Sequence, residues 1–227
     1  MLTHKVRTAV FWSGADLFLR HGLQFGISIA LARLLSPDEF GTVALMFLFT
    51  GIASAFVDGG FSSALIQRQD ISHTDEATVF WFNLAMGAAM AVALLVAAPV
   101  IAGFYARPIL EPLTVVMAAN VFLSALGSIH VTLLTKRLDF RTQMKIGAMA
   151  TLASGCVAVM MALHGYGVWA LASQTLIATG TTCGLLWILN PWRPSKTFSG
   201  ASARRLFRFG GYLMISVLLD ICYSRLY

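Results

Sequence analysis

Apolar residues fill six long stretches of the chain, and short polar breaks separate them. A helix needs about 20 mostly apolar residues to cross a bilayer. On that criterion the pattern predicts spanning helices at residues 9–35, 37–66, 77–104, 113–134, 144–163 and 168–189. A seventh apolar segment begins at Gly211, and residue 227 falls before it has crossed. The expected fold is all-α, a polytopic transmembrane helix bundle with six complete spans plus a partial seventh. Residues 1–190 are read as a six-helix transmembrane lobe, residues 191–210 as a cytoplasmic linker and interfacial helix, and residues 211–227 as the truncated start of a second lobe.

The breaks carry helix signals. Ser36-Pro37-Asp38-Glu39 places Ser at the N-cap, Pro at the first helical position and Glu at the third, which is a capping box. Gly59-Gly60 interrupts the second helix and implies close packing or a bend. Ser72 or Thr74 can cap the third helix, with Asp75 and Glu76 in its first turn. That helix is nearly free of polar groups beyond Asn83, so it is expected to face lipid. The fourth carries Asn120, Ser124, Ser128 and His130, and His130 reads as a hydrogen-bonded packing residue rather than a ligand. A sharp turn is expected at His164-Gly165-Tyr166-Gly167, and Asn190-Pro191-Trp192-Arg193-Pro194-Ser195-Lys196 reads as a linker between two units. Beyond it, Arg204, Arg205 and Arg208 alternate with Leu206, Phe207 and Phe209, as in a helix lying on an anionic leaflet.

The first helix is the unusual one. Ser13, Asp16, Arg20, Gln24 and Ser28 recur every three or four residues and fall on one side of a helix. Gly22, Gly26 and Ala30 form a small-residue ridge on the other side, suited to close packing. A charge at mid-bilayer costs about 2.5–3.5 kcal/mol on insertion scales, so the polar stripe must face protein or a wet cavity. Two readings are open: an internal Asp16–Arg20 pair that only holds a bundle together, or a polar lumen. Gln24 and Ser28 on the same line favour the lumen, since the pair alone does not require them. The second helix carries its own line, Thr50, Ser54, Asp58 and Ser62. The expected site is a cavity between the first, second and fourth helices, with Arg20, Asp16, Gln24, His21, Asp58, Arg68 and Asn120 as candidate residues.

Composition supports the membrane reading. Hydrophobic residues make up 58% of 227 and charged residues 11%, against about 25% charged in soluble domains. The formal net charge is +6. Orientation accounts for most of it, so no nucleic-acid partner is expected. With the N-terminus inside, inner segments hold Lys5, Arg7, Arg68, Lys136, Arg137, Arg141, Lys145, Arg193, Lys196, Arg204, Arg205 and Arg208, and outer loops hold only Arg33 and Arg107. Asp16, Arg20 and His21 interrupt the first apolar run too early for a cleaved signal peptide, which leaves an uncleaved first span. Cys156, Cys183 and Cys222 lie in apolar segments without metal-ligand spacing. No cofactor and no metal are expected. An enzyme is not expected either, because no loop can host a catalytic domain and Asp70, Asp75 and Glu76 read as helix-start charges.

Several stretches resemble a known family. They are Ala32-Arg33-Leu34-Leu35-Ser36-Pro37-Asp38-Glu39-Phe40-Gly41, the run from Asp58-Gly59-Gly60 to Gln67-Arg68, Gly165-Tyr166-Gly167-Val168-Trp169-Ala170-Leu171, and Pro191-Trp192-Arg193-Pro194. Together they are similar to the Wzx-type oligosaccharide flippases and polysaccharide exporters of the multidrug/oligosaccharidyl-lipid/polysaccharide superfamily. The resemblance implies two six-helix lobes in a bacterial inner membrane that move undecaprenyl-pyrophosphate-linked oligosaccharide outward. This chain resembles only the N-terminal lobe and the start of the next, so it is expected to be incomplete alone or to pair with a second half-transporter chain. Arg20 is then the expected phosphate-binding cation, with His21 and Arg68 as weaker candidates. Two alternatives remain open: a drug or cation antiporter using Asp16 and Asp58, and a non-transporting membrane partner of a polysaccharide export system.

Overall fold

A computed structural model of the chain describes residues 2–58, 61–67 and 71–200, without the side chains of residues 2–13, 15, 16, 20 and 58. Seven helices are described: α1 (Leu2–Leu34), α2 (Pro37–Asp58), α3 (Phe61–Gln67), α4 (His73–Phe104), α5 (Leu110–Lys136), α6 (Phe140–Leu163) and α7 (Val168–Leu189). The fold is all-α, as expected. Of the described helices, α2, α4, α5 and α6 are long and apolar enough to cross a membrane. The partial seventh span and the interfacial helix lie outside the described residues.

The helix starts follow the capping chemistry in the sequence. At α2 the Glu39 carboxylate accepts from the Ser36 backbone N–H at 2.6 Å, and the Ser36 hydroxyl accepts from the Glu39 N–H at 3.4 Å. Ser72, rather than Thr74, caps α4 through the same reciprocal pair with Asp75, at 3.0 and 3.2 Å. Asp139 caps α6 by accepting from the Thr142 N–H at 3.1 Å. Each supplies partners for donors that a helix start otherwise leaves unpaired. The second predicted helix is described as α2 up to Asp58 and α3 from Phe61; Gly59 and Gly60, where a bend or close packing is expected, lie outside the described residues.

α4 runs along α5, α7 packs on both α5 and α6, and α1 packs on α6. α2 closes the group against α4, α5 and α7. Lipid tails are as apolar as leucine, so these contacts depend on close fit and internal hydrogen bonds. A Cβ at Gly87 would collide with Ala125 of α5, and one at Gly155 would collide with Ile27 of α1. The expected ridge on α1 is corrected: a Cβ at Gly22 or Gly26 would meet nothing, and Ile27 seated over Gly155 makes the close approach instead. Asn83 donates to the Ser128 hydroxyl at 3.0 Å, and the Thr132 and Ser62 hydroxyls are hydrogen-bonded at 2.9 Å. α4 is therefore lipid-facing on one side only. Val92, Val96 and Val100 are exposed, while Asn83, Gly87, Leu94 and Ala98 are buried.

The loops gather at two ends. At one, the Arg107 guanidinium makes a two-pronged contact with the Asp38 carboxylate at 2.6 and 3.0 Å and donates to Thr42 at 2.8 Å. The hydrogen bond to Asp38, and then the carboxylate's charge, hold Arg107 above its ordinary pKa. The α6–α7 turn meets the same end, since a side chain at Gly167 (φ 58°) would run into Glu39. At the other end the stretch read as a linker is extended but docked. The Trp192 side chain is 6% exposed, and its indole N–H donates to Glu76 at 2.7 Å. Arg193 donates to the Trp187 and Asn190 carbonyls at 2.8 and 2.7 Å, closing the end of α7. Trp81 donates to the Ser195 carbonyl at 2.9 Å, and the Ser199 N–H donates to Thr78 at 3.1 Å.

His130 lies beneath this strap, fully buried, with ring centroids 4.8 Å from Trp187 and 5.4 Å from Trp192. It is a packing residue as expected, but neither ring nitrogen has a hydrogen-bond partner among the described residues. The tryptophans crowd it with aromatic surface and bring no acceptor.

Two substitutions test this packing. Gly87→Val forces α4 from α5 and should lower thermal stability by about 1–3 kcal/mol, the usual cost of overpacking. Trp192→Ala should cost about 3–5 kcal/mol, and Glu76→Gln, which keeps an acceptor for the indole, should cost much less. Thermal unfolding of the purified variants, followed by tryptophan fluorescence or by loss of monodisperse protein on heating, reads both.

Candidate functional site

Between α1, α2, α6 and α7 lies a partly open cavity of about 640 Å³. Its polar lining is Gln24 and Ser28 of α1, Thr151 and Ser154 of α6, and Gln174, Thr175 and Thr179 of α7. Phe40 and Phe47 of α2 supply apolar surface opposite. A second cavity of about 460 Å³ lies between α3, α5 and α7. Ser62 projects into it from α3, Ser124, Ser128, Thr132 and Thr135 from α5, and Thr179 and Thr182 from α7. Ala178 and Thr179 line both, so the two cavities adjoin across the middle of α7.

The local reason is helical spacing. Residues 174, 178 and 182, and residues 175 and 179, fall one above another on α7. On α5 the same holds for Ser124, Ser128 and Thr132, and on α1 for Gln24 and Ser28. α1 and α7 are the two long helices that do not meet the apolarity criterion for a span. They also bear the cavity's glutamines.

The lining hydroxyls are of two kinds. Thr132, Thr135 and Thr175 donate back to the carbonyls of Ser128, Val131 and Leu171 at 3.0, 2.9 and 3.2 Å, leaving oxygen lone pairs to accept. The side chains of Gln24, Ser28, Ser124, Gln174, Thr179 and Thr182 make no hydrogen bond among the described residues. No charged side chain is among the described lining of either cavity. Nor is any group of three His, Cys, Asp or Glu residues placed to hold a metal among the described residues.

Of the candidate residues, Gln24 lines the larger cavity. His21 is exposed and off the lining. Asn120 is half-buried in α5, off both linings, with an amide oxygen that has no partner among the described residues. The side chains of Asp16, Arg20 and Asp58, and all of Arg68, lie outside the described residues. α1, α2, α6 and α7 line the larger cavity, and α5 lines the adjoining one. Sequence reading missed Gln174, Thr175, Thr179 and Thr182. The three- and four-residue steps from Thr175 to Thr179 to Thr182 in an apolar segment were the available signal.

The family model described as "Polysaccharide biosynthesis protein" matches residues 30–227. The chain is 30% identical over 211 residues to the succinoglycan biosynthesis transport protein ExoT of Rhizobium meliloti (strain 1021), covering 93% of this chain and 43% of that protein. It is 28% identical to the teichuronic acid biosynthesis protein TuaB of Bacillus subtilis (strain 168), covering 96% of this chain and 46% of the relative. With the lipopolysaccharide biosynthesis protein WzxC of Escherichia coli (strain K12) it shares 25% identity, covering 96% and 45%. The chain thus spans about half the length of these relatives. No solved structure matches it.

The wetness of the cavities is directly measurable. In a background with Cys156, Cys183 and Cys222 replaced by serine, Ser28→Cys and Thr179→Cys should react with a charged methanethiosulfonate, because the reactive thiolate forms only in contact with water. Val96→Cys, on the outer face of α4, should stay unlabelled.

Proposed function

The chain belongs to the polysaccharide biosynthesis protein family, and on that premise we propose that it forms the N-terminal lobe of a membrane flippase. The cargo is a lipid-linked oligosaccharide repeat unit, carried by an undecaprenyl pyrophosphate anchor from the cytoplasmic to the outer leaflet of a bacterial inner membrane. The observation that carries this reading is the polar stripe of α1, whose described members Gln24 and Ser28 open on a cavity of about 640 Å³. Arg20 stands one helical turn before Gln24 on the same line. In this reading its guanidinium meets the pyrophosphate, to which a planar fork can donate two hydrogen bonds at once.

The lobe works against a second bundle, since alternating access needs two units rocking about one site. Further sequence or a second chain supplies it. The role is transport rather than bond-making chemistry, in keeping with a relative named as a transport protein. A cation antiporter is disfavoured, because a cation site favours a net acidic cavity and Arg20 stands one helical turn from Asp16. The reading includes six spans, with α1 and α7 among them. It also takes the N-terminus as cytoplasmic. The end of α5 and the segments after α5 and α7 carry Lys136, Arg137, Arg193 and Lys196, which the positive-inside rule assigns to the cytoplasm.

In a transport-competent full-length protein containing this lobe, Arg20→Ala should abolish polysaccharide export in a flippase-deleted strain, and Arg20→Lys should retain part of it. Normal export by Arg20→Ala at normal abundance ends the phosphate-binding role. Loss of the protein itself instead favours a structural pair with Asp16. For orientation, Asp38→Cys and Arg107→Cys should be labelled from the periplasmic side and Asp139→Cys should not.

A further inference from the structure

We infer that the face of α7 bearing Gln174, Thr175, Thr179 and Thr182 is a contact track for uncharged sugar residues. It lines the same cavity as the α1 stripe assigned to the anionic anchor, but from a different helix. The inference rests on the flippase reading for the nature of the cargo, and on the two cavity linings for the place.

The two cavities adjoin at Ala178 and Thr179 and together run along most of the length of α7. Their volumes, about 640 and 460 Å³, each lie in the range of ligand pockets, about 300–1,000 Å³. Gln174, Thr179 and Thr182 have no hydrogen-bond partner among the described residues. Thr175 has spent its proton on Leu171 and can only accept.

The chemistry of this lining selects among occupants. An acyl chain would leave free amides and hydroxyls dry, which is costly in hydrocarbon. An ion would find no opposite charge among the described lining residues. A sugar ring presents hydroxyls that both donate and accept around a carbon skeleton. It meets the hydroxyl and amide groups of α7 on one side and the apolar surface of Phe40 and Phe47 on the other. Aromatic rings suit the C–H face of such a ring, since their faces carry partial negative charge. On this assignment the charged anchor and the neutral sugars are recognised by different helices. α7 then sets which repeat unit is accepted, while α1 senses the anchor common to all of them.

The test uses the whole chain in lipid nanodiscs with two probes, a neutral β-linked glucose tetrasaccharide followed by saturation-transfer difference NMR and inorganic pyrophosphate followed by 31P line broadening. The double variant Thr179→Val, Thr182→Val removes two unpaired hydroxyls and nearly keeps side-chain volume, so its helix content and thermal stability should match the parent. The expected result is saturable tetrasaccharide binding by the parent, weakened about tenfold in the double variant, with the pyrophosphate response unchanged. Absence of tetrasaccharide binding to the parent overturns the track, as does equal affinity in the variant. Failure of the flippase reading shows elsewhere, as normal export by Arg20→Ala. If that occurs while the double variant loses the tetrasaccharide, α7 remains a sugar-binding face and only the cargo's anchor changes.

Discussion

A hydroxyl or amide in hydrocarbon that lacks a hydrogen-bond partner costs several kcal/mol, and no water stands by to relieve it. Much of the arrangement of this bundle comes from how that demand is met. Asn83 finds Ser128, Thr132 finds Ser62, and Thr78, Thr114 and Thr175 bond back into their own helices. The cross-helix pairs lie where helices touch. The polar side chains left over on α1 and α7 do not lie at such contacts. They converge on open space.

Small residues decide where the bundle is tight and where it parts. Gly87 admits Ala125 and draws α4 against α5, while Gly155 admits Ile27 and fixes α1 to α6. Among the described residues no comparable contact joins α1 to α2, and the larger cavity opens between them. α1 is thus attached chiefly through one neighbour. The exposed surface around Gly22, Gly26 and Phe25 has no partner among the described residues.

Much of this was legible in the sequence. Caps at Ser36 and Ser72 are local chemistry, so helix starts could be read directly, and the polar line of α1 pointed to a cavity that Gln24 and Ser28 do line. Other features were not legible, because they depend on which helices become neighbours. A tryptophan between two prolines looks like a linker until α4 places Glu76, Phe80 and Thr78 beneath it. The threonines of α7 look like ordinary helix filler until α5 presents a second hydroxyl line opposite. Ile27 over Gly155 could not be found from the α1 sequence either, since the glycine that receives it belongs to another helix.

The docked strap has a mechanical consequence. A free tether between two bodies transmits nothing until it is pulled taut. Residues 190–199 are instead riveted at Trp192, Ser195 and Ser199 to α4, while Arg193 clamps them to the end of α7. A load applied to the chain beyond Gly200 therefore reaches two helices at once and without slack. One of them, α7, carries the lining shared by both cavities. The strap thus ties the cavity wall and α4 to one short stretch of backbone.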